Sequence, residues 1–98
     1  MKVLNDLISQ WAEKKGILKY GHPIGQATKT LEECNELLDA VDENDEHAII
    51  DAIGDIYVTL QIQCVMQGVT MEECVRHAYN EIKDRKGKMN EAGQFVKE

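Results

Sequence analysis

Proline occurs once in this 98-residue chain, no Cys-x-x-Cys pair is present, and no stripe of basic residues runs the length of any helical segment. Scarce proline beside seven glycines and 43% hydrophobic residues removes a disordered tail and a β-sandwich, leaving a globular, mainly helical chain. A formal net charge of −7 and the missing basic stripe oppose a nucleic-acid polymer or an anionic membrane surface as the main partner. Cys34, Cys64 and Cys74 are odd in number and each falls among apolar helix positions. They read as reduced core residues of a cytoplasmic protein, not as disulfide or zinc ligands. Asp6, Glu13 and Lys14 interrupt the apolar core that a leader would need, and no segment is expected to reach transmembrane length.

Other absences narrow the chemistry. There is no P-loop and no Gly-x-Gly-x-x-Gly run. His22, His47 and His77 form no Glu-x-x-His pair of the di-iron bundles. A calcium loop starting at Asp42 fails because His47 stands where glycine is needed and Ile53 where the last glutamate is needed.

What remains is helical periodicity. A first helix is expected over about 2–15, with Leu4, Leu7, Ile8 and Trp11 on one stripe and Gly16 as its stop. After a loop through Lys19-Tyr20-Gly21-His22-Pro23-Ile24-Gly25, a second helix over about 25–41 carries Leu31, Cys34, Leu38 and Val41 as its core stripe. An acidic connection follows, where Asn44 or Asp45 caps a third helix over about 46–67. This helix is apolar nearly all round, the mark of a central bundle helix or a subunit interface. Gly68 ends it, and Thr70-Met71-Glu72-Glu73 forms a capping box that opens a fourth helix. That helix buries Met71, Cys74 or Val75, Ala78 and Ile82, and is expected to run to about Lys86 with Gly87 as its stop. The reading is one all-α domain over 1–98, a four-helix antiparallel bundle with a C-terminal extension from about 88 that forms a ribbon or an arm. A chain this short buries only roughly 60 to 65% of its unfolded surface, so dimerisation or tetramerisation would complete the core.

Five carboxylates stand out against this frame. Glu32, Glu33 and Glu36 lie on the second helix, and Asp51 and Asp55, one turn apart, interrupt the apolar third helix. A carboxylate there requires a partner, because burying it unpaired costs several kcal/mol. Antiparallel packing of the two helices brings Glu33 and Glu36 toward Asp51 and Asp55, and oxygen ligands without His or Cys suit Mg²⁺, with Mn²⁺ as the substitute. Such ions commonly bind phosphates. Lys83, Arg85, Lys86 and Lys88 concentrate four of the eleven basic residues at the end of the fourth helix, where they serve either the helix C-terminus or the outer phosphates of a substrate.

Lys29-Thr30-Leu31-Glu32-Glu33-x-x-Glu36, followed by Asp51-Ala52-Ile53-Gly54-Asp55 and Asn80-x-x-Lys83-x-Arg85, resembles the MazG-like nucleotide pyrophosphohydrolases of the all-α NTP pyrophosphatase superfamily. The resemblance implies a Mg²⁺-dependent helical dimer or tetramer that hydrolyses nucleoside triphosphates to monophosphate and pyrophosphate. It implies metal ligands Glu33, Glu36, Asp51 and Asp55, with Glu32 orienting or deprotonating the attacking water. Lys29, Lys83 and Arg85 would contact phosphates, Asn80 phosphate or sugar, and Trp11 would stack on the base. The family's Glu-Glu-x-x-Glu is matched fully. Its Glu-x-x-Asp is not, since Ala52 stands three residues before Asp55 and Asp51 takes over as the nearest carboxylate. The alternatives are a non-catalytic helical interaction module or regulatory partner, and a specialised relative acting on dUTP or phosphoribosyl-ATP.

Overall fold

A computed structural model describes all 98 residues. In chain order it has α1 (Lys2–Lys14), α2 (Ile17–Tyr20), α3 (Pro23–Asp42), α4 (Glu46–Gln67) and α5 (Met71–Ile82), then strands β1 (Gly87–Met89) and β2 (Phe95–Lys97). The punctuation is local chemistry. Gly16 takes a left-handed conformation between α1 and α2, and the single helical turn of α2 fills the stretch from there into the start of the expected loop. Pro23 opens α3, where its missing N–H costs nothing. Asn44 adopts a positive φ of 53° in the acidic connection, and Asp45 caps α4 by accepting from the Ala48 N–H at 3.1 Å. Gly68 closes α4, and Thr70 and Glu73 form the reciprocal capping box of α5.

α5 is shorter than expected. It stops at Ile82, Lys83 is its cap, and the Arg85 N–H donates to the Ile82 carbonyl at 2.9 Å as the chain turns away. Gly87 is not a helix stop but the first residue of β1, which pairs antiparallel with β2. A Cβ there would lie 2.2 Å from the Val96 carbonyl oxygen and 2.7 Å from the Phe95 ring, so close strand packing requires glycine. The extension from about 88 is therefore the rest of β1, the turn and the second strand of a small ribbon.

α3 and α4 form an antiparallel hairpin, and three polar bridges fix its register. Thr30 Oγ1 donates to Thr59 Oγ1 at 2.9 Å, Gln26 Nε2 to the Thr59 carbonyl at 3.0 Å, and Gln63 Nε2 to the Pro23 carbonyl at 2.9 Å. α1 lies along another face of α4, where Tyr57 Oη donates to Asn5 Oδ1 at 2.8 Å and Gln61 Nε2 to Ser9 Oγ at 3.1 Å. By length and composition α4 is apolar enough to cross a membrane, which corrects the expectation that nothing reaches that length. Its Thr59, Gln61 and Gln63 are nevertheless spent on bridges to α3 and α1, as in the central helix of a bundle.

The core departs from the predicted stripes. Only eight residues are buried: Ala12, Glu33, Ala40, Ala52, Thr59, Gln61, Ile62 and Cys64. Leu31 and Leu38 are 62% and 69% exposed, and Val41, Ile50, Ile53, Leu4, Leu7, Val75 and Ile82 also face outward. The reason is that α3 turns its Glu33 and Ala40 face to α4, leaving the leucine stripe open. α5 buries no residue and touches no helix but α4, so a closed four-helix bundle is not made within one chain. The accessible surface of 7817 Å² compares with roughly 5,700 Å² for a folded monomer of this mass.

Candidate metal centre

The α3–α4 register positions the acidic residues. Thr30 is one helical turn before Glu33, and Thr59 is one turn after Asp55, so their bridge holds Glu33 opposite Asp55. Glu36 follows Glu33 on the same edge of α3. Carboxylate oxygens of Glu33, Glu36 and Asp55 all lie within 4.8 Å of one another. Glu36 and Asp55 are exposed, whereas Glu33 is only 9% exposed and its Oε2 has no hydrogen-bond partner.

That arrangement is electrostatically unfavourable as it stands. The neighbouring Glu36 carboxyl, then burial, then the charges of Glu36 and Asp55 push the Glu33 carboxyl above the usual carboxylate range, with Lys29 opposing. Lys29 is the one cation paired with this group, 3.7 Å from Glu33 and 3.4 Å from Glu32, and Glu32 above all raises its pKa. One ammonium does not offset three converging carboxylates. An oxygen-only cluster whose most buried member has an unpartnered carboxylate oxygen fits a hard divalent cation.

The remaining candidates are placed elsewhere. Asp51 is outside the group: one turn from Asp55 along α4, its carboxylate is 3.4 Å from His47 Nε2 instead. Ala52, where the family pattern has a ligand, is buried in the packed face of α4. Glu32 is exposed beside Lys29. Asn80 lies on α5, Lys83 caps it and Arg85 follows in the turn, and no hydrogen bond or ion pair joins them to the carboxylates. Trp11 is half-exposed on α1. Sequence reasoning missed Gln26, Thr30 and Thr59, although a threonine one turn beyond Asp55 in an apolar helix was a visible signal of a buried polar bridge.

A family model described as the MazG nucleotide pyrophosphohydrolase domain matches residues 25–89. The chain belongs to this family. The matched MazG segment runs from α3 into β1 and so contains all five carboxylates and the basic cluster. Over 55 residues the chain is 38% identical to an "uncharacterized 18.2 kDa protein in rep-hol intergenic region" of Haemophilus phage HP1 (strain HP1c1), covering 56% of this chain and 34% of that relative. The chain thus spans about a third of the length of the curated relative. No solved structure matches it. Within the MazG domain, Glu33, Glu36 and Asp55 are the residues that could hold a divalent ion.

Proposed function

We propose that this chain is a Mg²⁺-dependent nucleoside triphosphate pyrophosphohydrolase, with Mn²⁺ able to substitute, that releases nucleoside monophosphate and pyrophosphate. The observation that carries this reading is the convergence of Glu33, Glu36 and Asp55, whose carboxylate oxygens lie within 4.8 Å of one another, with a buried Glu33 oxygen that has no hydrogen-bond partner. When bound, the ion supplies charge for the triphosphate and acidifies a water for attack at phosphorus.

The protein groups divide the remaining work. Glu33, Glu36 and Asp55 hold the ion, and Asp51, one turn away, accepts its outer waters. Glu32 sits beside the ligands at a position suited to orienting or deprotonating the attacking water. Lys29, already held by Glu32 and Glu33, moves to the phosphates when a cation takes its place. Asn80, Lys83 and Arg85 contact phosphate or sugar through the assembly, because α5 buries nothing in its own chain and its exposed Val75, Tyr79 and Ile82 need a second copy to cover them. Trp11 stacks on the base. A homodimer or homotetramer in the cytoplasm, where nucleotides and reduced thiols coexist, goes with this reading.

The test is a panel of nucleoside triphosphates incubated with Mg²⁺ or Mn²⁺, resolving monophosphate plus pyrophosphate from diphosphate plus phosphate. Pyrophosphate release that disappears in Asp55→Asn, with helicity unchanged, is expected. Absence of pyrophosphate from every nucleotide, together with no cation-dependent rise in Tm, would instead make the chain a helical interaction module.

A further inference from the structure

Cys64 and Cys74 flank the Gly68 turn, one near the end of α4 and the other in the first turns of α5. Both line an apolar groove of about 420 Å³ between those helices, together with Leu60, Met71 and Ala78. Cys64 is 6% exposed, whereas Cys74 is open to solvent, contrary to the expectation that all three cysteines are core residues. Burial pushes the Cys64 thiol up, and the adjacent Cys74 and then Glu73 add to it. Both thiols thus front the same groove from opposite sides of the Gly68 turn. Cys34 lies on α3, outside this groove.

We propose that Cys64 and Cys74 form a modification site at which a hydroperoxide installs an intrachain disulfide, pinning α5 to α4. The exposed Cys74 sulfur attacks the terminal oxygen of the hydroperoxide, the O–O bond breaks, and an alcohol (water, for hydrogen peroxide) leaves with the thiol proton. Cys74 is then a sulfenic acid. The Cys64 sulfur attacks the Cys74 sulfur, the S–O bond breaks, and hydroxide leaves as water with the Cys64 proton. Two thiols lose two electrons and the peroxide gains them. Burial of Cys64 fixes the order, since bulk oxidant reaches Cys74 first. The consequence falls on α5, the helix with no buried residue and no helical neighbour but α4, whose independent opening the cross-link would suppress.

The experiment treats the full chain with stoichiometric hydrogen peroxide under native conditions and digests it, without reduction, using a protease that cuts after glutamate. Cleavage at Glu72 and Glu73 separates the two cysteines. A mass lower by two hydrogens, a linked Cys64–Cys74 peptide and a Tm higher by roughly 10 °C that dithiothreitol reverses are expected. Cys34→Ser behaves like the parent, and Cys74→Ser shows neither the link nor the shift. Recovery of Cys74 as sulfinic acid beside a free Cys64 thiol, or of cross-links between chains alone, overturns the proposal.

Discussion

The Thr30 hydroxyl donates to the Thr59 hydroxyl at 2.9 Å across the α3–α4 seam, and the Thr59 hydroxyl in turn donates to the Ile56 carbonyl at 2.7 Å. One turn from each threonine stands an acidic residue of the candidate metal centre, Glu33 on one helix and Asp55 on the other. The bridge therefore sets which carboxylates meet.

Thr59→Val keeps the side-chain volume and removes the bridge. Thr30 retains a fallback acceptor in the Gln26 carbonyl at 3.2 Å, so the expected loss of stability is about 1 kcal/mol. Cation-dependent protection against heat should weaken by more than that loss explains, because the register loosens. Denaturation curves with and without Mg²⁺ check this, and identical Mg²⁺ responses in variant and parent would remove the positioning role.

Asp55→Asn and Asp51→Asn should separate cleanly. Asp55 shares the carboxylate group with Glu33 and Glu36, while Asp51 faces His47. Pyrophosphate release is expected to fall by 10²-fold or more, on the order of 3 kcal/mol, in the first. In the second it should fall by roughly tenfold, the scale of an outer partner. Equal losses in parallel assays would return Asp51 to the inner ligand set.

Acidity provides an independent handle. Glu33 has a folded-state pKa above its ordinary value, so between about pH 4.5 and that raised value the folded chain binds more protons than the unfolded one. Stability of the metal-free protein contributed by this group therefore falls as pH rises through the window, and the penalty is absent below it. Mg²⁺ competes with the same proton. The Mg²⁺-induced rise in Tm should accordingly grow with pH across the window and be lost in Glu33→Gln; a rise independent of pH would contradict the ligand assignment.

The exposed leucines make a forecast about assembly. An accessible area of 7817 Å² exceeds the monomer expectation by roughly 2,000 Å², the scale an obligate interface covers. Sedimentation should report a dimer or larger species, and Leu38→Lys should shift it toward monomer with a lower Tm. A parent chain that sediments as a monomer at micromolar concentration defeats this expectation.

Much of the fold was legible because its signals are local. Gly68, the Thr70 and Glu73 capping box and Asp45 each satisfy helix-end groups within a few residues, so sequence spacing suffices to locate them. Asp55 stood out for a related reason: a charge in an apolar helix announces a partner, and the antiparallel pairing of its helix with the one before it pointed to Glu33 and Glu36. The end of α5 was not. Lys83 to Lys86 are compatible with helix, and what stops them is pairing of Gly87 with Lys97 and the stacking of Phe95 over that glycine, contacts made with residues further along the chain. The buried stripes failed similarly, since periodicity identifies an apolar face and not the neighbour that covers it.

The sequence by itself determined helix number to within the short α2, the capping residues and the acidic set from which a metal site could be drawn, all consequences of backbone hydrogen bonding and side-chain spacing inside single helices. Tertiary structure alone decided that Asp55 joins Glu33 and Glu36 while Asp51 turns to His47, and that Cys74 lies beside Cys64 on an open groove. The first outcome depends on the register between α3 and α4, which the Thr30–Thr59 bridge fixes, and the second on how α5 folds back along α4 beyond Gly68, contacts that no single helix contains.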